Sequence, residues 1–175
     1  ILLFLLFSKV DSQGLRDYNQ GKPVKSDTLD LLKELYNPKG PTPAIGILIA
    51  LNLIVFIITL FFGVDAISPS AQELLEVGGN RRANIVNGEY WRLITSVFIH
   101  GGIMHLIMNL FGIFLTGMFL EEKVGRKNMI LYFLIAGVAG SITSVLWHDN
   151  TVSIGASGAI FGYFGLLLAF NIFKI

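Results

Sequence analysis

The chain has 175 residues, the length of one domain, and is 53% hydrophobic but only 14% charged, against about a quarter charged in soluble domains. Its 13 Lys and Arg against 12 Asp and Glu leave a net charge of +1, and without a basic stripe there is no reason to expect a nucleic-acid partner. The absence of cysteine excludes disulfides, thiolate catalysis and cysteine-held metals; with a mean hydropathy of +0.67, the composition is that of an integral membrane protein.

Ile1 to Phe7 (ILLFLLF) is too short to cross a bilayer and reads as the remnant of a signal peptide or of a truncated anchor. From Ser8 to Pro43 the sequence is polar and broken by Pro23, Pro38, Pro41 and Pro43. Thr28 to Tyr36 (TLDLLKELY) fits one short amphipathic helix at the surface. Residues 1–43 are therefore expected to form an extramembrane arm, and residues 44–175 a membrane domain. Four apolar segments predict an all-α, polytopic membrane helix bundle with four transmembrane helices: Ala44 to Gly63, Ile103 to Leu120, Met129 to Trp147 and Ser157 to Phe173. No proline follows Pro69 to break the last three.

Loop charges orient the bundle. Lys9, Arg16, Lys22, Lys25, Lys33 and Lys39 precede the first span, Lys123, Arg126 and Lys127 follow the second, and Lys174 follows the fourth. All fall on one side. The other side has Arg81, Arg82 and Arg92 in a long first external loop. The positive-inside rule then puts the N-terminus in the cytoplasm of a multi-pass cell-membrane protein, with His100, His105 and Ser157 toward the outer face. The fourth helix would rise about 25 Å, short of the roughly 30 Å apolar core. Ser157 is therefore expected below the outer surface, reached by a non-helical TVSIGAS segment lining water.

The polar residues of these spans admit two readings. His105 and Asn109 are four apart, on one helical face, with His100, Gly101 and Gly102 just before them. They could serve only as interhelical hydrogen bonds, or they could line a wet cavity. Gly158 and Gly162, continued by Gly165 and Ala169, make a close-packing stripe that needs no catalysis. Yet Ser157 at a helix start, level with a His/Asn face, also supplies the parts of an acyl-transfer site: a nucleophile and donors for an oxyanion. The helix N-terminus adds free N–H groups and a positive dipole end.

Four motifs in order carry a family resemblance: Trp91–Arg92, HGGIMHLIMN from His100 to Asn109, LEEKVG from Leu120 to Gly125, and GASGAIFG from Gly155 to Gly162. Over roughly Ala44 to Phe173 the sequence resembles the rhomboid intramembrane serine proteases. The resemblance implies that Ser157 is the nucleophile, and that its backbone N–H, His105 and Asn109 form the oxyanion hole. It implies supporting roles for Gly155 and Gly158, and for Phe161 as an aromatic packed beside the catalytic histidine. Trp91 and Arg92 match a structural first-loop element, and Glu121 or Glu122 a structural acid at the inner end of the second span. Transmembrane proteins are the implied substrates and the lipid bilayer the medium, with no cofactor and no metal.

One departure bears on activity. The family's general base is a histidine on a later helix, and this sequence ends after the fourth span. The missing initiator methionine points to a truncated sequence. His148 is a candidate base, but beside Asp149 it reads as a loop cap. The alternative is a non-catalytic rhomboid-like protein that binds transmembrane clients. Retained Ser157, His105 and Asn109 weigh against that reading, and the absent base weighs for it. A metalloprotease or transporter is disfavoured, since HEXXH is absent and no carboxylate stands mid-span.

Overall fold

Where water is absent, a chain that crosses must satisfy its own backbone, and a helix does so within one segment. The computed structural model describes residues 43–173. It consists of α1 (Pro43–Phe61), α2 (Ala71–Glu76), α3 (Arg82–Val86), α4 (Arg92–Thr95), α5 (Ile103–Val124), α6 (Arg126–Trp147) and α7 (Ser157–Phe173). Three segments, Ala44–Phe61, Ile103–Val124 and Arg126–Trp147, are long and apolar enough to cross a membrane, and α7 is a shorter apolar helix of 17 residues. The protein is a polytopic helical membrane bundle. The expected arm over residues 1–43, with its Thr28–Tyr36 helix and the Ile1–Phe7 stretch, lies outside the described residues except for Pro43, as does Lys174.

The ends of α1 show how sequence sets the boundaries. At its C-terminus, Gly63 N–H donates to Leu60 O (3.0 Å) and Val64 N–H to Thr59 O (3.2 Å). This pair of bonds is a Schellman cap with glycine just past the helix. At its N-terminus, the first amides meet Glu121: Ala44 N–H donates to Oε1 at 2.7 Å and Ile45 N–H to Oε2 at 3.0 Å. Glu121 is buried, whereas Glu122 is exposed, so one of the two matching acids faces the bundle and the other does not.

The connection after the second span differs from expectation. The sequence places Lys123, Arg126 and Lys127 in a loop after the second span, but α5 runs through Val124 and α6 begins at Arg126. The whole reversal falls on Gly125, whose φ of 78° is a left-handed value that glycine adopts without strain. Lys123, Arg126 and Lys127 therefore sit in the flanking helical turns.

The core lies where α5, α6 and α7 meet α1: Ile45, Ile113, Leu120, Phe133 and Tyr163 are fully buried there. Tyr163 donates its hydroxyl hydrogen to Met129 O at 2.7 Å, so its one polar atom is satisfied. Small residues let the helices approach. A Cβ on Gly162 would fall 2.3 Å from Ala136 Cβ, and one on Gly158 3.3 Å from Gly140 Cα. The expected stripe stops there, because a Cβ on Gly165 would meet open space. Gly158 and Gly162 form the contact with α6, and Gly165 has no part in it.

Between α1 and α5 the first loop folds into three short helices. Its α2 carries a capping box, in which the Ser70 side chain accepts from Glu73 N–H and the Glu73 carboxylate accepts from Ser70 N–H. Among the described residues no strand forms, and one isolated antiparallel bridge joins Asn80 to Ser153.

Candidate active site

Ser157 opens α7 as its first helical residue, and the first intrahelical bond of that turn is Ile160 N–H to Ala156 O at 3.0 Å. The N–H groups of Ser157, Gly158 and Ala159 therefore precede the ladder and have no intrahelical acceptor. Ser157 is exposed. It opens on a polar cleft of about 190 Å³ that Ser96, Ser141, Ser144 and Ser153 also line.

The segment before the serine is held against α5. Gly155 has φ 97° and donates its N–H to Ser96 O at 2.8 Å. A Cβ there would lie 2.8 Å from His105 Cε1, 2.9 Å from His105 Nε2 and 3.7 Å from Asn109 Nδ2. Two independent conditions thus demand glycine: a left-handed backbone and the space taken by the imidazole. His105, Asn109 and the backbone two residues ahead of Ser157 are brought together.

Hydrogen bonding sets which imidazole nitrogen carries the proton. Gly101 N–H donates to His105 Nδ1 at 3.1 Å, so Nδ1 is the acceptor and the neutral ring holds its hydrogen on Nε2. That N–H is the one beside Gly155. Asn109 is 4% exposed and donates from Nδ2 to His105 O at 2.8 Å. Its second amide hydrogen remains available next to Gly155. His100 is sealed at 1% exposure, with Nδ1 3.0 Å from Phe98 O and its ring edge-on to His105 at 5.3 Å.

The remaining predicted residues lie around this centre. Phe161 is exposed and lines an open groove with Trp147, His148 and Gly162. His148 N–H caps α6 by donating to Ser144 O at 2.9 Å, and its side chain is exposed on the same groove. Asp149 pairs with Arg82 of the first loop. Arg92 is buried; its Nε donates to Glu89 at 2.6 Å and its Nη1 to Leu75 O and to Gly79 O (2.9 Å). Trp91 stacks over that guanidinium, 4.5 Å from ring centroid to Cζ. Hydrogen bonds from Asn84 and then Arg92 hold the Glu89 carboxyl below its ordinary range. Among the described residues, no group of three His, Cys, Asp or Glu side chains converges as a metal site would need.

Asn80 went unread in the sequence. It is fully buried, exchanges both backbone hydrogen bonds with Ser153, and donates from Nδ2 to Ser141 O at 3.2 Å. The available signal was the tripeptide Gly78-Gly79-Asn80, a turn ahead of a charged helix.

The rhomboid domain model matches residues 87–174. The sequence is 40% identical to "RHOMBOID-like protein 6, mitochondrial" of Arabidopsis thaliana over 104 residues, 59% of this chain and 34% of that protein. It is 36% identical over 133 residues to "Putative rhomboid protease YdcA" of Bacillus subtilis (strain 168), covering 75% of this chain and 64% of that protein. It is 34% identical over 104 residues to "Inactive RHOMBOID-like protein 8" of Arabidopsis thaliana, 59% of this chain and 30% of that protein. The chain spans about a third of the length of the first curated relatives it matches. No solved structure matches it significantly.

Proposed function

The chain belongs to the rhomboid family, and from that premise we propose that it acts as an intramembrane serine endopeptidase with Ser157 as its nucleophile. Ser157 Oγ attacks the scissile carbonyl while a base takes the hydroxyl proton. The oxyanion is received by His105 Nε2–H, an Asn109 amide hydrogen and the Ser157 N–H. Collapse expels the amine, which leaves with the proton the base took. Water then attacks the acyl-enzyme as the same base takes its proton, and that proton returns to Ser157 Oγ as the carboxylic acid departs. The observation that carries this reading is the His105 tautomer: with Nδ1 accepting from Gly101, the donor Nε2–H faces the serine-bearing segment. Substrates on this reading are transmembrane proteins, cut near their outer ends in a cell membrane, with the N-terminus of the chain in the cytoplasm.

In the full-length protein, reconstituted in liposomes, a fluorophosphonate probe should label Ser157, and Ser157→Ala should abolish both labelling and cleavage of a transmembrane substrate. His105→Ala should lower kcat by about 10²–10³, the cost of one oxyanion donor. Persistent cleavage by Ser157→Ala overturns the reading.

A second reading, a non-catalytic binder of transmembrane clients, is favoured by the state of the histidines among the described residues. His105 Nδ1 is committed to Gly101, His100 is sealed, and His148 is exposed on the outer groove. None of these positions supports a base poised on Ser157, and one relative bears the name inactive. Client capture without probe labelling would favour this reading.

A further inference from the structure

The serine-bearing segment from Asn150 to Ala156 has no helix to fix it, so its position depends on what holds it. Two backbone attachments do so. Gly155 N–H reaches Ser96 O at 2.8 Å, and Ser153 exchanges both bonds with Asn80, N–H to O at 2.7 Å and O from N–H at 3.0 Å. Asn80 is fully buried and its side chain reaches across to α6, donating to Ser141 O at 3.2 Å. One residue therefore binds the segment through its backbone and the neighbouring helix through its side chain.

Asn80 is itself fixed from behind. Arg92 donates to the carbonyls of Leu75 and Gly79, and Thr95 Oγ1 donates to Gly78 O at 2.8 Å. A side chain at Gly79 would strike Leu74 O at 2.7 Å and Val152 Cγ1 at 3.1 Å, so the turn lies flat against the segment. Glu89 in turn holds the Arg92 guanidinium at 2.6 Å. The first loop forms a braced arm, and its tip is Asn80.

We propose that Asn80 is a positioning residue for the proposed active site, clamping the Ser153–Ser157 segment between the first loop and α6 so that Gly155 and Ser157 keep their register against His105 and Asn109. This rests on the serine-protease reading for its effect on catalysis, but not for its effect on the segment itself. The Trp91–Arg92 pair acts on the site through this residue, without touching it.

Hydrogen exchange and kinetics on the full-length protein in liposomes test the assignment together. Asn80→Ala keeps both backbone bonds to Ser153 but loses the side-chain anchor on Ser141 O. Amide exchange across residues 152–156 should therefore speed roughly tenfold, the scale of that one lost buried hydrogen bond. The variant should lower kcat roughly tenfold, within the hundredfold that misplacement costs, with KM little changed. A second variant guards against misfolding. Asn80→Cys with Ser153→Cys joins a hydrogen-bonded antiparallel pair, whose Cα separation of about 5.5 Å suits a disulfide. Oxidised, it should keep near-wild-type kcat; reduced, it should fall as Asn80→Ala does. Unchanged exchange in Asn80→Ala overturns the proposal, and so does equal kcat in the oxidised and reduced forms. If Ser157→Ala still cleaves substrate, the catalytic reading fails instead, and the exchange result alone decides the role of Asn80.

Discussion

Gly155 shows how one residue without a side chain sets the geometry of the others. Its φ of 97° and the imidazole 2.8–2.9 Å from where a Cβ would sit leave no room for substitution. Gly155→Ala should cost about 1–3 kcal/mol in backbone strain and push His105 out of register. Fluorophosphonate labelling at Ser157 should slow more than tenfold, and an unchanged labelling rate would refute the close packing. His100, in the loop ahead of α5, tests the electrostatics. Burial first, and then the neighbouring His105, push its pKa down from 6.5 to about 4. Between those values the unfolded chain binds a proton that the folded one refuses, so stability falls as pH falls. The contribution is complete above pH 6.5 and lost as pH drops toward 4, at about 1.4 kcal/mol per unit. Thermal midpoints measured from pH 7 to pH 4 should decline more steeply for the wild type than for His100→Gln.

At the level of elements, the α6–α7 contact separates two glycines that look alike in sequence. Gly162 meets Ala136 at a distance no methyl could share, whereas Gly165 faces open space. Gly162→Ala should therefore destabilise the protein by about 1–3 kcal/mol through overpacking. Gly165→Ala should be neutral or stabilising by up to about 1 kcal/mol, since alanine is the better helix former. A denaturant midpoint lowered by Gly162→Ala but not by Gly165→Ala checks this, and equal effects would contradict the packing. The same contrast explains what the sequence could reveal. The spans were legible because length and hydropathy alone dictate a crossing helix, and the His105/Asn109 face because a spacing of four is a property of one helix. The reversal at Gly125 was hidden, since charges that signal a loop also suit the ends of membrane helices. The end of the packing stripe before Gly165 depends on where α6 lies, which periodicity in α7 does not encode. The Asn80–Ser153 bridge joins two loops distant in sequence, and no local pattern announces such a pairing.

For the whole molecule, the bundle is tied at both ends by a few polar residues. At one end the first loop reaches Ser153 through Asn80 and Asp149 through Arg82. At the other, Glu121 on α5 takes the first amides of α1. The α1 helix packs Ile45 against Gly117 and the α5 surface, but its outer faces are apolar and indifferent to rotation in lipid, because lipid tails are as apolar as leucine. Dispersion alone would let α1 slide or turn. The Glu121 carboxyl group fixes register, since only one axial position puts both amides on its two oxygens at 2.7 and 3.0 Å. Glu121→Ala leaves two buried donors unpaired at about 1–3 kcal/mol each, a total of roughly 2–6 kcal/mol before any relaxation. Glu121→Gln keeps one acceptor oxygen and should lose about half as much. The thermal midpoints in detergent should therefore rank wild type above Gln above Ala. Limited proteolysis should cut the start of α1, between residues 43 and 46, fastest in the alanine variant. If Glu121→Ala melts with the wild type, α1 is held by packing alone and the Glu121 tie carries no stability.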